Sequence, residues 1–128
     1  MTTAAVQHWV KRYRLECDVM QPEFEIVIEL DHRVVTTTSL RERYEFWHRP
    51  SVRTGQPDDG TSYLHPLLRQ LGVVILGLAT EGYNREGIVA RFADGIEGWP
   101  EMDGSAGWSI VRVDPFEIDP LDFTVTEL

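Results

Sequence analysis

The sequence predicts an α+β domain: an antiparallel sheet made of an N-terminal hairpin and C-terminal strands, with two or three helices packed mainly on one face. Three observations predict it. Two neighbouring N-terminal segments alternate apolar and polar residues, the middle of the chain carries apolar residues at helical spacing between turn-forming clusters, and two short β-rich segments close the chain. With 128 residues, 42% of them hydrophobic, the chain can bury one core without staples, so a single domain over 1–128 is expected, with residues 1–10 as a flexible N-terminal extension.

In "YRLECDV", Tyr13, Leu15, Cys17 and Val19 alternate with Arg14, Glu16 and Asp18, which is the period of a half-buried strand. "QPE" breaks the pattern. "FEIVIEL" then alternates again, with Phe24, Ile26, Ile28 and Leu30 on one side, so the two segments pair as an antiparallel hairpin. Thr36 is placed to cap a helix over residues 37–47, whose apolar positions Leu40, Tyr44 and Trp47 recur at four and three residues, with Arg41 and Glu45 one turn apart on the wet side. Residues 48–60, with two prolines and two glycines, read as a loop.

Leu64, Leu67, Leu68 and Leu71 form an apolar stripe closed by Gly72 as a C-cap, and Pro66 fits if it falls in the first turn. The uniformly apolar "VVILGLA", residues 73–79, reads as a short buried strand, with a helix as the rival reading. Asn84 opens a helix carrying Ile88, Val89 and Phe92 and ending at Gly95. "WSIVRV" and "FTVTEL" read as strands joined by "DPFEIDPLD", whose two prolines suit a bent linker. The expected core joins Leu15, Cys17, Phe24, Ile26, Ile28, Leu40, Trp47, Leu68, Trp99 and Ile110.

The lone Cys17 has no intrachain partner, and the longest apolar run is too short to span a bilayer. A cytoplasmic location and no membrane contact are expected. Net charge is −9, and it is unevenly placed: residues 94–128 hold nine acids against one base, a balance of −8. Such a field repels duplex DNA and favours a basic protein partner. Arg41, Arg43, Arg49 and Arg53 cluster around the first helix, but Glu42 and Glu45 interleave with them, so a solvated helix face is the plainer reading and direct nucleic-acid binding is not expected.

No Gly-rich phosphate loop, HExxH, CxxC, GxSxG or EF-hand spacing is present. His8, His32, His48 and His65 are scattered, and Asp31 with His32 is at most half a metal site in a position that also suits local hydrogen bonding. The acids are plentiful but nothing pairs them for acid–base work. No catalytic, cofactor-binding or metal-ligating residue is assigned, and no cofactor is expected. "DGIEGWPEMDGSAGW", residues 94–108, sets two tryptophans among glycines and acids; it reads as an acidic, solvent-facing loop held at both ends by Trp99 and Trp108.

The order of "KRYRLECDV", "FEIVIELDH", "VVTTTSLRERYEFW", "LLRQLG", "EGWP" and "GWSIVRV" resembles the small bacterial and phage proteins grouped as domain of unknown function 2528. The family pattern commonly places a proline after the capping threonine, where this chain has Thr37. The resemblance implies a phage or mobile-element setting and supplies no catalytic residues.

The expected function is therefore that of a small, acidic, non-catalytic interaction protein, a monomer or weak homodimer, whose surface imitates DNA phosphates to inhibit a host nuclease or defence complex. Glu97, Glu101, Asp103, Asp114, Glu117, Asp119 and Asp122 are the expected partner-binding residues. The alternative is a small-molecule-binding or metabolic accessory domain with an aromatic pocket around Trp47, Trp99 and Trp108.

Overall fold

The computed structural model describes residues 9–18, 23–47, 63–116 and 120–128. Alternating apolar side chains set the sheet. Strands β1 (Val10–Cys17) and β2 (Phe24–Asp31) pair antiparallel, from Val10 opposite Asp31 to Cys17 opposite Phe24. Strand β3 (Trp108–Val113) pairs antiparallel with the other side of β2, with an irregularity between Val27 and Ile28, so the order is β1-β2-β3. Phe24, Ile26, Ile28 and Leu30 are buried, while Glu25, Val27 and Glu29 between them are only half-buried. One sheet face is thus core and the other meets water.

That outer face is laced with charge. Arg12 pairs with Glu29 at 3.0 Å, Arg14 with Glu25 at 3.4 Å, and Arg112 with both Glu25 and Asp114. All are solvent-exposed to some degree, so each pair is worth at most about 1 kcal/mol, and their main effect is to hold the sheet's polar side in register.

Three helices cover the apolar face: α1 (Thr37–Trp47), α2 (Leu64–Thr80) and α3 (Arg85–Asp94). Thr36 caps α1, its Oγ1 accepting from Ser39 N–H at 3.2 Å, and Asn84 caps α3 by accepting from Gly87 N–H at 2.8 Å. Gly95 ends α3 with φ 110°, a conformation that favours glycine. α2 packs against β1, α3 against β3, and α1 against α2. Leu67, Leu71, Ile75, Ile88 and Phe92 meet Ile28, Leu30 and Ile110 in one core, each fully buried side chain contributing about 1.5–3 kcal/mol.

Two expected strands are not formed. Residues 73–79 continue α2 without a break, and Gly72 lies inside the helix instead of capping it. The stripe Leu64, Leu67, Leu68, Leu71, Ile75 and Leu78 keeps helical spacing straight through Gly72, so burying its last two members outweighs the roughly 1 kcal/mol that a mid-helix glycine costs. A run that is apolar on every side conceals its own period. Pro66 is the third helical residue, where no N–H is needed. Residues 123–128 join no sheet, and Phe123, Val125 and Leu128 are exposed. Only one of the two expected C-terminal strands therefore enters the sheet.

Of the expected core, Leu15 and Cys17 are half-buried, because they sit on an edge strand; the Trp47 side chain lies outside the described residues. The loop expected over 48–60 lies outside them too, as do the first eight residues of the expected N-terminal extension; Val10 already opens β1.

Candidate functional site

The acidic loop is built on buried aromatics. Trp99 and Trp108 are both buried and meet edge to face, with ring centroids 5.9 Å apart. Arg43 from α1 lies over both rings, 5.9 and 5.8 Å from their centroids, and donates to the carbonyl of Gly98. Such stacking suits a planar guanidinium. Burial lowers the Arg43 pKa from its ordinary value.

Met102, fully buried between the two tryptophans in sequence, accepts from Ile110 N–H at 3.1 Å through its carbonyl, and Gly104 N–H donates to Trp108 O at 2.8 Å. Gly107 closes the loop with φ 88°, its carbonyl accepting from Asp31 N–H at 2.9 Å. A Cβ there would meet Val35 Cγ2 at 2.8 Å and Val34 Cβ at 2.9 Å. The loop is therefore pinned at both ends, as expected from its tryptophans.

On this frame Ser105 gathers two carboxylates. Its hydroxyl lies 2.6 Å from Asp103 Oδ1 and 3.0 Å from Glu101 Oε2, and its N–H donates to Asp103 Oδ1 at 2.9 Å. The hydroxyl first, and then the backbone N–H, holds the Asp103 pKa below the usual carboxylate range. Glu97 is exposed in the preceding turn, closed by Trp99 N–H donating to Ile96 O at 3.0 Å.

The other predicted acids are placed differently. Asp114 follows β3 at its far end, where it accepts from Glu25 N–H at 3.0 Å and faces Arg112 at 3.7 Å. Glu117 and Asp119 lie outside the described residues. Asp122 ends the short 3-10 turn Pro120–Asp122, and its side chain lies outside them too. The structure thus brings Glu101 and Asp103 together, with Glu97 in the same loop region.

Asp31 and His32 act locally. Asp31 grips Arg33 in a fork, Oδ1 to Nε at 3.0 Å and Oδ2 to Nη2 at 2.8 Å, and its pKa is lowered to about 2 chiefly by that side-chain bond. His32 bridges two elements, with Nδ1 3.3 Å from Val35 O and Nε2 2.8 Å from the Tyr13 hydroxyl. Burial raises the Tyr13 pKa. Among the described residues, no three His, Cys, Asp or Glu side chains converge to hold a metal.

The aromatic pocket reading meets a different geometry. Trp99 and Trp108 bury themselves against each other and Arg43, and neither lines the cavity of about 490 Å³ that opens between β1 and α2. Leu15, Cys17, Leu68, Gly72 and Leu76 form much of its wall. Sequence reasoning missed it because reading residues 73–79 as a strand removed its helical side. The legible signal was the small Gly72 on the stripe opposite an edge strand.

No helix among the described residues is long and apolar enough to cross a membrane. No solved structure shows a significant match to the chain. Two curated proteins are each 31% identical over 121 residues, covering 91% of this chain and 95% of their own length: protein ea10 of Escherichia phage lambda and a lambda prophage-derived protein ea10 of Escherichia coli O6:H1. Both are phage-derived. A family profile described as a protein of unknown function matches residues 25–125, from the second residue of β2 into the C-terminal tail, and the chain belongs to that family, DUF2528.

Proposed function

We propose that this chain is a small, non-catalytic, cytoplasmic interaction protein of phage type, whose acidic surface engages a basic host protein and imitates DNA phosphates to inhibit a nuclease or defence complex. The observation that carries this reading is the placement of Glu101 and Asp103 side by side, on a loop clamped beneath two buried tryptophans. Carboxylates held in advance lose little freedom on binding. They lie in the quarter of the chain with a balance of −8, whose summed field steers a basic partner. Glu97 adds to that field; Glu117, Asp119 and Asp122 extend it in sequence, and Asp114 contributes less because Arg112 faces it.

The test is capture from host lysate at low and high salt, followed by identification of the eluted protein. Screening shortens from about 10 Å at 0.1 M salt to about 3 Å at 1 M, so an electrostatic partner elutes with salt. Replacing Glu101, Asp103, Glu117 and Asp119 by Gln or Asn removes charge while keeping size. The variant should fold, bind the purified partner more weakly and show a flatter salt dependence. A folded variant that binds that partner as tightly as the parent refutes the electrostatic reading.

A further inference from the structure

β1 is an edge of the sheet. In an antiparallel pair, successive residues direct their backbone groups alternately toward the partner strand and away from it. His32 N–H donates to Trp9 O at 2.8 Å, which turns Trp9, Lys11, Tyr13, Leu15 and Cys17 toward β2. Val10, Arg12, Arg14 and Glu16 therefore aim their N–H and C=O groups outward, and among the described residues no strand pairs with them. An edge of this kind is a template for one more strand.

Beside that edge the described residues form a groove with a mostly apolar wall and the charged side chains of Arg14, Glu16, Asp18 and Arg69 around it. The 490 Å³ groove lies between β1 and α2, with Leu15, Cys17, Leu68 and Leu76 around it and Val73 on its rim, 65% exposed. Gly72 contributes no side chain, and only Leu15 Cδ1, at 3.7 Å, stands near where its Cβ would be. The groove therefore admits side chains from a strand laid along β1.

The same chain carries a strand without a sheet. In "FTVTEL", residues 123–128, Phe123 and Val125 alternate with two threonines and are 69% and 93% exposed. This is the composition and period of a half-buried strand. Charge is compatible as well: β1 carries Lys11, with Arg12 and Arg14 paired to Glu29 and Glu25, whereas residues 120–128 carry Asp122 and Glu127 and no base.

We propose that residues 123–128 of a second copy add to the outer edge of β1 as a fourth strand, with Phe123 and Val125 entering the groove over Gly72, and that two copies exchange tails reciprocally. Strand addition takes affinity from backbone bonds and specificity from pockets for alternate side chains, and both are present at this edge. A second copy is the occupant because in its own chain the segment pairs with no strand among the described residues and leaves Phe123 and Val125 exposed. Phe116 packs against Phe24 at 6.5 Å, at the end of the sheet where β1 finishes, and Phe123 N–H donates to Pro120 O at 3.2 Å, where the segment leaves the short 3-10 turn. Reciprocal exchange repeats the same contact twice about a two-fold axis. It is independent of the acidic loop, so either reading can fail alone.

The experiment is sedimentation of the full chain over a concentration series, with two variants. Phe123→Asp with Val125→Asp spoils the tail, and Val73→Glu spoils the groove; all three side chains are exposed, so both variants should melt like the dilute parent. The parent should form a concentration-dependent dimer, and each variant should weaken it more than about tenfold. Mixing the two variants should restore a heterodimer, because one still offers a groove and the other a tail. A parent that stays monomeric, variants that dimerise like the parent, or a mixture that stays monomeric overturns the proposal. So does a monomer whose amides at 124–128 resist hydrogen exchange, which would place the tail on its own β1.

Discussion

Gly107 is where the acidic loop touches the exit of β2, and its backbone leaves no room for a side chain. Its φ of 88° and a Cβ approach of 2.8 Å to Val35 act together. Gly107→Ala should cost about 2 kcal/mol or more in chemical denaturation, from left-handed strain and overpacking combined. Hydrogen-bonded to the Gly107 carbonyl at the same crossing, Asp31 is held at about pKa 2 by the Arg33 fork, below the ordinary 3.8. A depressed carboxylate contributes stability that is present above its unfolded pKa and lost as pH falls through the folded one. The parent should therefore lose this contribution between about pH 4 and pH 2, and Asp31→Asn should lack that component of the acid limb. The pair is exposed, so the difference will be small and screened by salt.

Among the elements, α2 departs most from what local pattern suggests, and it is also the easiest to probe. Gly72 is mid-helix, and the nearest atom to its missing Cβ is Leu15 Cδ1 at an ordinary 3.7 Å. Gly72→Ala should raise stability by about 0.5–1 kcal/mol in thermal or chemical melts, since alanine has less freedom to lose in a helix. A glycine serving as a left-handed cap, as the sequence suggested, would respond with a loss. At α1 the cap is Thr36, and Thr36→Ala should cost about 1 kcal/mol, read as a lower denaturation midpoint at unchanged slope.

The whole molecule is joined across its sequence by the Arg43, Trp99 and Trp108 stack, which ties α1, the acidic loop and β3 into one body. Trp99→Ala should cost about 3–5 kcal/mol in equilibrium unfolding, a large share of the roughly 5–15 kcal/mol typical of a domain. It should also loosen the loop that carries Glu101 and Asp103, so on the proposed function affinity for a basic partner should fall further than the destabilisation alone explains. A variant that melts like the parent would show that the stack is not a structural clamp.

Much of this protein was determined locally. The hairpin of β1 and β2, the Thr36 and Asn84 caps, the Gly95 stop, the burial of Trp99 and the family resemblance all follow from period, capping chemistry and motif order, which depend on neighbours in sequence. The acidic balance of residues 94–128 was equally plain, but which of its acids share a surface was not. Ser105 joins Glu101 to Asp103, while Asp114 is taken up by Arg112 and the β2 backbone at the other end of β3. Tertiary structure alone decided that residues 73–79 are helical and that residues 123–128 stand outside the sheet. A uniformly apolar run carries no readable period, so the core it must fit chooses its conformation. A strand exists only when its backbone finds a partner, and strand propensity in "FTVTEL" cannot supply one.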